Sequence, residues 1–284
     1  MIVALQKPTN HLHMNRFEGG PPEFSSTPET SQEKESFEPN IIFDFIRHGE
    51  AEYSDEQKQQ VEDLGYSYDE LLPSEKITTE LRGTRAGKEG RLTQEGKAQL
   101  IVSMEHLVEK IDPDNEVVMV LSSPRLRAEE SAGVIVNALA HHGIDVQGAR
   151  ECLDLVDMKK PWIGILEFLK QSSSGEQSPF QYWLKMSEEE LQKADVEGME
   201  NIEDRTDHFM RLIQRFAKTK QQEWGLDKKI LRVIAVTHDI NLIAAANREH
   251  LSPKEINDIK NAEILELGVD NQGNTKLLAD NGAV

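Results

Sequence analysis

Cys152 is the only cysteine in a chain of 284 residues, so no internal disulfide can form. That scarcity points to a reducing, cytoplasmic setting. No apolar stretch approaches the roughly 20 residues that a membrane helix needs. The opening run Met1-Ile2-Val3-Ala4-Leu5 is too short for the apolar core of a signal peptide, and no small-residue cleavage site follows it. Membrane insertion and export are therefore not expected. Basic residues are outnumbered: 32 Lys and Arg stand against 51 Asp and Glu, for a formal net charge of −19. A broad nucleic-acid surface needs clustered cations, so that partner class is not expected either. A small anion held in one local basic pocket is still compatible with the charge. There is no Walker-type glycine loop for a nucleotide and no Cys/His array for zinc.

The length suits one large α/β domain with decorations. Residues 1–39 are rich in Pro, Ser, Glu and Gly with almost no apolar periodicity, which predicts a disordered N-terminal tail. His11 and His13 lie in it, as solvated tail residues or, less simply, a metal site. Residues 40–284 then form the folded domain, with a polar insertion at about 52–91 whose end is basic: Arg82, Arg85, Lys88 and Arg91.

Three short apolar runs read as buried strands: Ile41 to Ile46, Val117 to Leu121 and Leu231 to Val236. Between them lie helical patterns. Thr93 is a plausible N-cap for a helix burying Leu100, Met104, Leu107 and Ile111. Ser122-Ser123-Pro124 predicts a second cap with proline at the first helical position. The helix after it buries Ala128, Ala132, Ile135 and Leu139. Ser178 to Gln181 and Ser187 to Glu190 are capping-box patterns. A long amphipathic helix is expected over about 202–223, with Phe209, Leu212, Ile213 and Phe216 inward. Ile240 to Asn247 and a short segment from Ser252 also read as helix. Ile264 to Leu267 and Lys276 to Leu278 look like a closing hairpin. Strands alternating with helices imply a three-layer α/β/α architecture on a mostly parallel sheet, with one or two antiparallel strands at its edge.

Each of the three strands ends in reactive polar residues. The first ends in Arg47 and His48, the second in Ser122, Ser123, Arg125 and Arg127, and the third in Thr237, His238 and Asp239. In a parallel sheet these ends share one edge, where open α/β sheets place their ligands, and adjacent strands lie about 5 Å apart. Two histidines and at least two arginines converging there favour a phosphate. A neutral imidazole among cations can attack phosphorus, guanidiniums can stabilise the charge in flight, and a carboxyl must protonate the leaving oxygen. No metal is required, because the guanidiniums supply the positive charge.

These segments resemble the histidine phosphatase superfamily, also called phosphoglycerate mutase-like. The matching stretches are "FIRHGE" (Phe45 to Glu50), "LTQEG" (Leu92 to Gly96), "SSPRLRAEESA" (Ser122 to Ala132) and "VTHD" (Val236 to Asp239), in the family's order. The resemblance spans roughly residues 40–280. It implies that His48 is the nucleophile that becomes phosphohistidine, Arg47 and Arg127 the phosphate clamps, and His238 a donor to the phosphoryl group. It implies no cofactor. Two positions for the proton donor stay open. One branch of the family uses an aspartate directly after the second histidine, here Asp239, which is also an ordinary helix N-cap. The other uses a carboxylate after the second helix, for which Asp154 is the first choice by spacing, with Glu151 and Asp157 beside it. Ser123, Arg85 and Arg91 are candidate substrate ligands, and Trp162 with Lys159-Lys160 could line the rim.

"AEYSDE" (Ala51 to Glu56) stands where phosphoglycerate mutases typically carry an asparagine, and the path to "LTQEG" is longer. The expected activity is thus hydrolysis of a small phosphorylated substrate or a phosphoprotein. The alternatives are a mutase-type phosphotransferase and a non-catalytic phosphate-binding module on the same fold. The oligomeric state is not legible.

Overall fold

The computed structural model describes residues 37–51, 59, 62–63, 91–156, 182–248 and 259–281. The chain divides into Met1–Ser36 and a compact unit, Phe37–Val284, to which all of these belong. The predicted tail up to residue 36, most of the 52–91 insertion, and the helices expected from Ser178 and Ser252 lie outside the described residues.

In chain order the elements are β1 (Ile41–Arg47), α1 (Gln94–Val108), β2 (Glu116–Ser122), α2 (Leu126–His141), β3 (Val146–Glu151), a 3-10 turn (Leu153–Leu155), α3 (Glu188–Ala194), α4 (Met199–Lys220), β4 (Ile230–Thr237), α5 (Asp239–Arg248), β5 (Ile264–Val269) and β6 (Thr275–Asn281). The six strands form one sheet in the order β3-β2-β4-β1-β5-β6. The first four in that order are parallel. β5 runs antiparallel to β1, and β6 to β5. The predicted hairpin is therefore present, and the three expected strands are adjacent.

Alternation along each strand splits the core in two. Phe43, Phe45, Leu231, Val233 and Leu267 face one way, against Ile202, Phe209 and Ile213 of α4 and Ile240 and Ala244 of α5. Phe209 meets Phe43 and Phe45 edge-on, with ring centroids 5.8 and 6.0 Å apart. Full burial of such a side chain is worth ~1.5–3 kcal/mol. Ile46, Val118, Val120, Ile234 and Val236 face the other way, against Leu100 and Met104 of α1 and Ala128 and Ile135 of α2. The result is helix, sheet and helix in three layers. Among the described residues no helix is long and apolar enough to cross a membrane.

Local chemistry explains two helix starts. Thr93 caps α1, its hydroxyl accepting from the Gly96 N–H. Ser187 and Glu190 close a full capping box on α3. Some expectations need correction. α2 begins at Leu126 with Arg125 as its N-cap, so Pro124 is not the first helical residue. The Ser123 hydroxyl that was expected to cap the helix is engaged elsewhere, as shown below. On α4, Leu212 is exposed, and Met210 takes the inward position beside Phe209 and Ile213. β3 was not expected from the sequence: it is a largely exposed edge strand whose polar residues carry no apolar alternation.

Candidate active site

β2, β4 and β1 lie side by side, so their carboxyl ends present Ser122, Thr237 and Arg47 along one sheet edge. Beyond that edge Arg47, His48, Ser123, Arg127, His238 and Asp239 come together, every one of them buried.

The turn after β1 is held by backbone. The His48 N–H donates to the Thr237 carbonyl at 3.0 Å, and the Thr93 N–H donates to the Glu50 carbonyl at 3.0 Å. Gly49 and Gly96 make this close approach possible. A Cβ on Gly49 would stand 2.3 Å from the Gly96 oxygen, and one on Gly96 would stand 2.2 Å from the Glu50 oxygen. "RHGE" and "LTQEG" are thus two halves of one backbone contact that excludes side chains at both glycines. Ser131 ties the turn to α2: its hydroxyl accepts from the Gly49 N–H at 3.2 Å and donates to the Arg127 carbonyl at 2.7 Å.

Arg127 lies between the two histidines. Its Nε donates to His48 Nε2 at 2.9 Å, and one terminal nitrogen lies 3.2 Å from His238 Nδ1. A guanidinium only donates, so both of those ring nitrogens accept and carry no proton. The proton of His48 is therefore on Nδ1, donated to the Gly49 carbonyl at 2.7 Å. That of His238 is on Nε2, facing the Ser123 hydroxyl at 2.9 Å. The two rings are edge to face, 5.2 Å apart.

Both imidazoles are held well below the usual histidine range. For His48 burial is the main cause, followed by the charge of Arg127, His238 and Arg47. For His238 it is burial again, then Arg127, Arg125, Arg47 and Arg205. Each is neutral at physiological pH, and the Nε2 lone pair of His48 is its nucleophilic position.

Arg47 donates to the Ile259 carbonyl and lies 3.6 Å from the Asp239 carboxylate. Its Nε has no hydrogen-bond partner among the described residues. Asp239 opens α5, and its other oxygen accepts from the Ile240 N–H at 2.8 Å. The N-cap reading of Asp239 needs correction: the helix begins at Asp239 itself, so the residue before it is His238, and the Asp239 carboxylate belongs to the buried cluster.

The remaining sequence candidates fall elsewhere. Asp154, in the 3-10 turn, binds His208 of α4 at 2.9 Å, and that histidine is 56% exposed. Glu151 is exposed at the end of β3. Arg91 is also exposed and lies 3.4 Å from Glu130, one turn beyond Arg127 on α2. Arg85, Asp157, Lys159, Lys160 and Trp162 lie outside the described residues.

Sequence reasoning missed Ser131 and Arg205. Arg205 is buried on α4, donates to the Val156 carbonyl at 3.0 Å, and adds its charge to the field at His238. A signal was present: Ile202, Arg205, Thr206, Phe209 and Ile213 share one helical stripe, and a cation on an otherwise buried stripe marks an interior role.

No family model and no curated protein sequence matches the chain. Solved structures do. A mycobacterial glucosyl-3-phosphoglycerate phosphatase aligns over 86% of this chain and 100% of its own at 15% identity, with a TM-score of 0.52. A second structure of that phosphatase, complexed with VO3, aligns with a TM-score of 0.51 at 14% identity over 86% and 100% of the two chains. A structure described as mycobacterial hydrolase 2 aligns over 86% of this chain and 91% of its own at 16% identity, with a TM-score of 0.52. The chain has the fold of these mycobacterial proteins, the three-layer phosphoglycerate mutase-like fold.

Proposed function

We propose that this protein is a phosphatase of the histidine phosphatase superfamily, a phosphoric monoester hydrolase of the histidine acid phosphatase type. It acts on a small phosphorylated substrate, and His48 carries the phosphoryl group. The observation that supports this most is the state of His48: buried, neutral, its Nδ1 proton held by the Gly49 carbonyl, and its Nε2 lone pair facing the Arg127 guanidinium. A guanidinium in that place binds a phosphoryl oxygen as readily as it binds an imidazole.

The chemistry follows. Arg47 and Arg127 bind the phosphoryl oxygens, and Arg127 exchanges its contact with His48 for one of them. Nε2 attacks phosphorus as the P–O bond to the leaving group breaks, and the guanidiniums offset the charge on the equatorial oxygens. Once the phosphoryl group takes Arg47 from it, Asp239 acts in its protonated form and gives that proton to the leaving oxygen. Water then attacks phosphorus, forming a P–O bond as the P–N bond to His48 breaks; Asp239 takes the water's proton, and phosphate leaves with His48 restored. Asp239 is favoured over Asp154 because it lies in the buried cluster beside Arg47, whereas Asp154 is committed to His208. The glucosyl-3-phosphoglycerate phosphatase and its VO3 complex accord with an anionic phosphate ester in a site of this fold. The sole cysteine accords with a cytoplasmic setting.

The test is a panel of phosphomonoesters with wild type and His48→Ala. Wild type should release inorganic phosphate and form an acid-labile phosphoprotein. His48→Ala should form none and lose at least about 10³-fold in kcat. Turnover at the wild-type rate by His48→Ala would refute the assignment.

A further inference from the structure

Ser123 was expected from the sequence to bind substrate directly, but its hydroxyl is 2.9 Å from His238 Nε2 and it is completely buried. Its place is fixed from two sides. Its own N–H donates to the Val236 carbonyl at 2.8 Å, across the adjacent ends of β2 and β4. Its oxygen also accepts, at 3.4 Å, from the Arg125 N–H at the start of α2. His238 is fully buried as well, so Ser123 stands where water would otherwise satisfy Nε2.

The free site and the working site make opposite demands on His238. With Arg127 donating to Nδ1, the ring carries its proton on Nε2 and gives it to Ser123. Under the phosphatase reading, on which this inference rests, Arg127 turns to the phosphoryl group. Nδ1, the nitrogen on the Arg127 side, must then present a proton to a phosphoryl oxygen. A neutral ring does this only in its other tautomer, with Nε2 as acceptor. Most buried partners serve one tautomer alone: a backbone carbonyl accepts, an ammonium donates. A hydroxyl has one donor hydrogen and two lone pairs, and it rotates. It satisfies Nε2 in both states without moving its oxygen.

We propose that Ser123 is a positioning residue for His238, acting through the ring rather than on the substrate. It accepts from Nε2–H in the free protein, and it donates to the bare Nε2 when Nδ1 carries the proton toward a bound phosphoryl group.

The test is nitrogen-15 NMR of the two histidine ring nitrogens in the full chain, free and with saturating inorganic phosphate, for wild type, Ser123→Ala and Ser123→Thr. Kinetics on the best phosphomonoester run alongside. In the free wild type His238 should be neutral with its proton on Nε2, and phosphate should move it to Nδ1. Ser123→Ala should give a mixed tautomer in the free protein and about a 10-fold loss of kcat with KM within about 2-fold. Ser123→Thr, which keeps the hydroxyl, should restore both. A proton on Nδ1 in the free wild type would overturn the proposal, and so would a Ser123→Ala variant that raises KM at unchanged kcat. The NMR arm reads His238 whether or not His48→Ala abolishes turnover, so failure here and failure of the phosphatase assignment give different results.

Discussion

Arg232 and Arg127 are both buried arginines supported by the central sheet, and their partners differ in kind. Arg232, on β4, donates two hydrogen bonds to Asp44 of β1 at 3.0 and 3.1 Å and also pairs with Glu116 of β2. Burial opposes its charge, but Asp44 and Glu116 outweigh that and raise its pKa. Glu266 of β5, facing Asp44 in register, is tied in turn to Lys110 at 3.1 Å. Arg127 meets two neutral imidazole lone pairs instead. Two carboxylates hold Arg232 between the strands, whereas Arg127 touches the two imidazoles of the candidate site. Under the phosphatase reading one arginine is part of the scaffold, and the other binds the phosphoryl group.

The largest expected separation of the two clusters comes from their key residues. His48→Ala should lose at least about 10³-fold in kcat with a urea midpoint lowered less than that of Arg232→Met, because it removes one acceptor from Arg127 and unpairs no carboxylate. Arg232→Met should do the reverse. It leaves buried carboxylates unpaired and should cost ~3–5 kcal/mol in urea unfolding, with kcat per folded molecule near wild type. A stable Arg232→Met, or a strongly destabilised His48→Ala, would break the contrast.

Next in size is the proton donor. Asp239→Asn should lower kcat by about 10²-fold or more on a phosphomonoester with a poor leaving group, and by less when the leaving group departs without a proton. Asp154→Asn should change either rate by less than about 3-fold, since its partner is a half-exposed histidine. The opposite ranking would move the acid to the turn after β3.

The smallest effect is in pH dependence, and there the clusters pull in opposite directions. Asp44 is pushed up to about 6, chiefly by burial, with Arg232 opposing and Glu266 and Glu116 adding to the rise. Between the ordinary value of 3.8 and about 6 the folded chain holds a proton there that the unfolded chain has lost. That contribution favours the fold as pH falls through the window. His48 and His238 have lowered values, so below the ordinary histidine value of 6.5 the unfolded chain gains protons that the fold refuses, and stability falls. Asp44→Asn removes only the first effect. Its urea midpoint should therefore drop more steeply than that of wild type from pH 6 to pH 4. Parallel pH profiles would show that Asp44 does not titrate in this range.

The two clusters were not equally legible. The site announced itself because its residues sit at the ends of apolar runs, where a strand pattern stops and chemistry-bearing side chains begin. Asp44 and Arg232 sit inside such runs, as "IIFDFI" and "LRVIAV", and only the sheet order β2-β4-β1 makes them partners. The strand of polar residues Val146 to Glu151 was missed because an exposed edge has no need of alternation. Ser123 was assigned to substrate because a serine before a helix carries no mark of what its hydroxyl will face.

By itself the sequence determined the three buried strands and the helices between them, the caps at Thr93 and Ser187, and the closing hairpin, and it nominated Arg47, His48, Arg127 and His238. The elements and caps rest on periodicity and local backbone chemistry, which act over a few residues; the choice of Arg127 over Arg125 rests on the family resemblance. The tertiary structure alone decided that Asp239 rather than Asp154 joins the cluster, that Gly49 and Gly96 let two backbones touch, and that the Ser123 hydroxyl meets the His238 ring. Those facts depend on atoms tens to more than a hundred residues apart meeting within about 3–4 Å, a distance scale at which hydrogen bonds and ion pairs act and which sequence spacing does not encode.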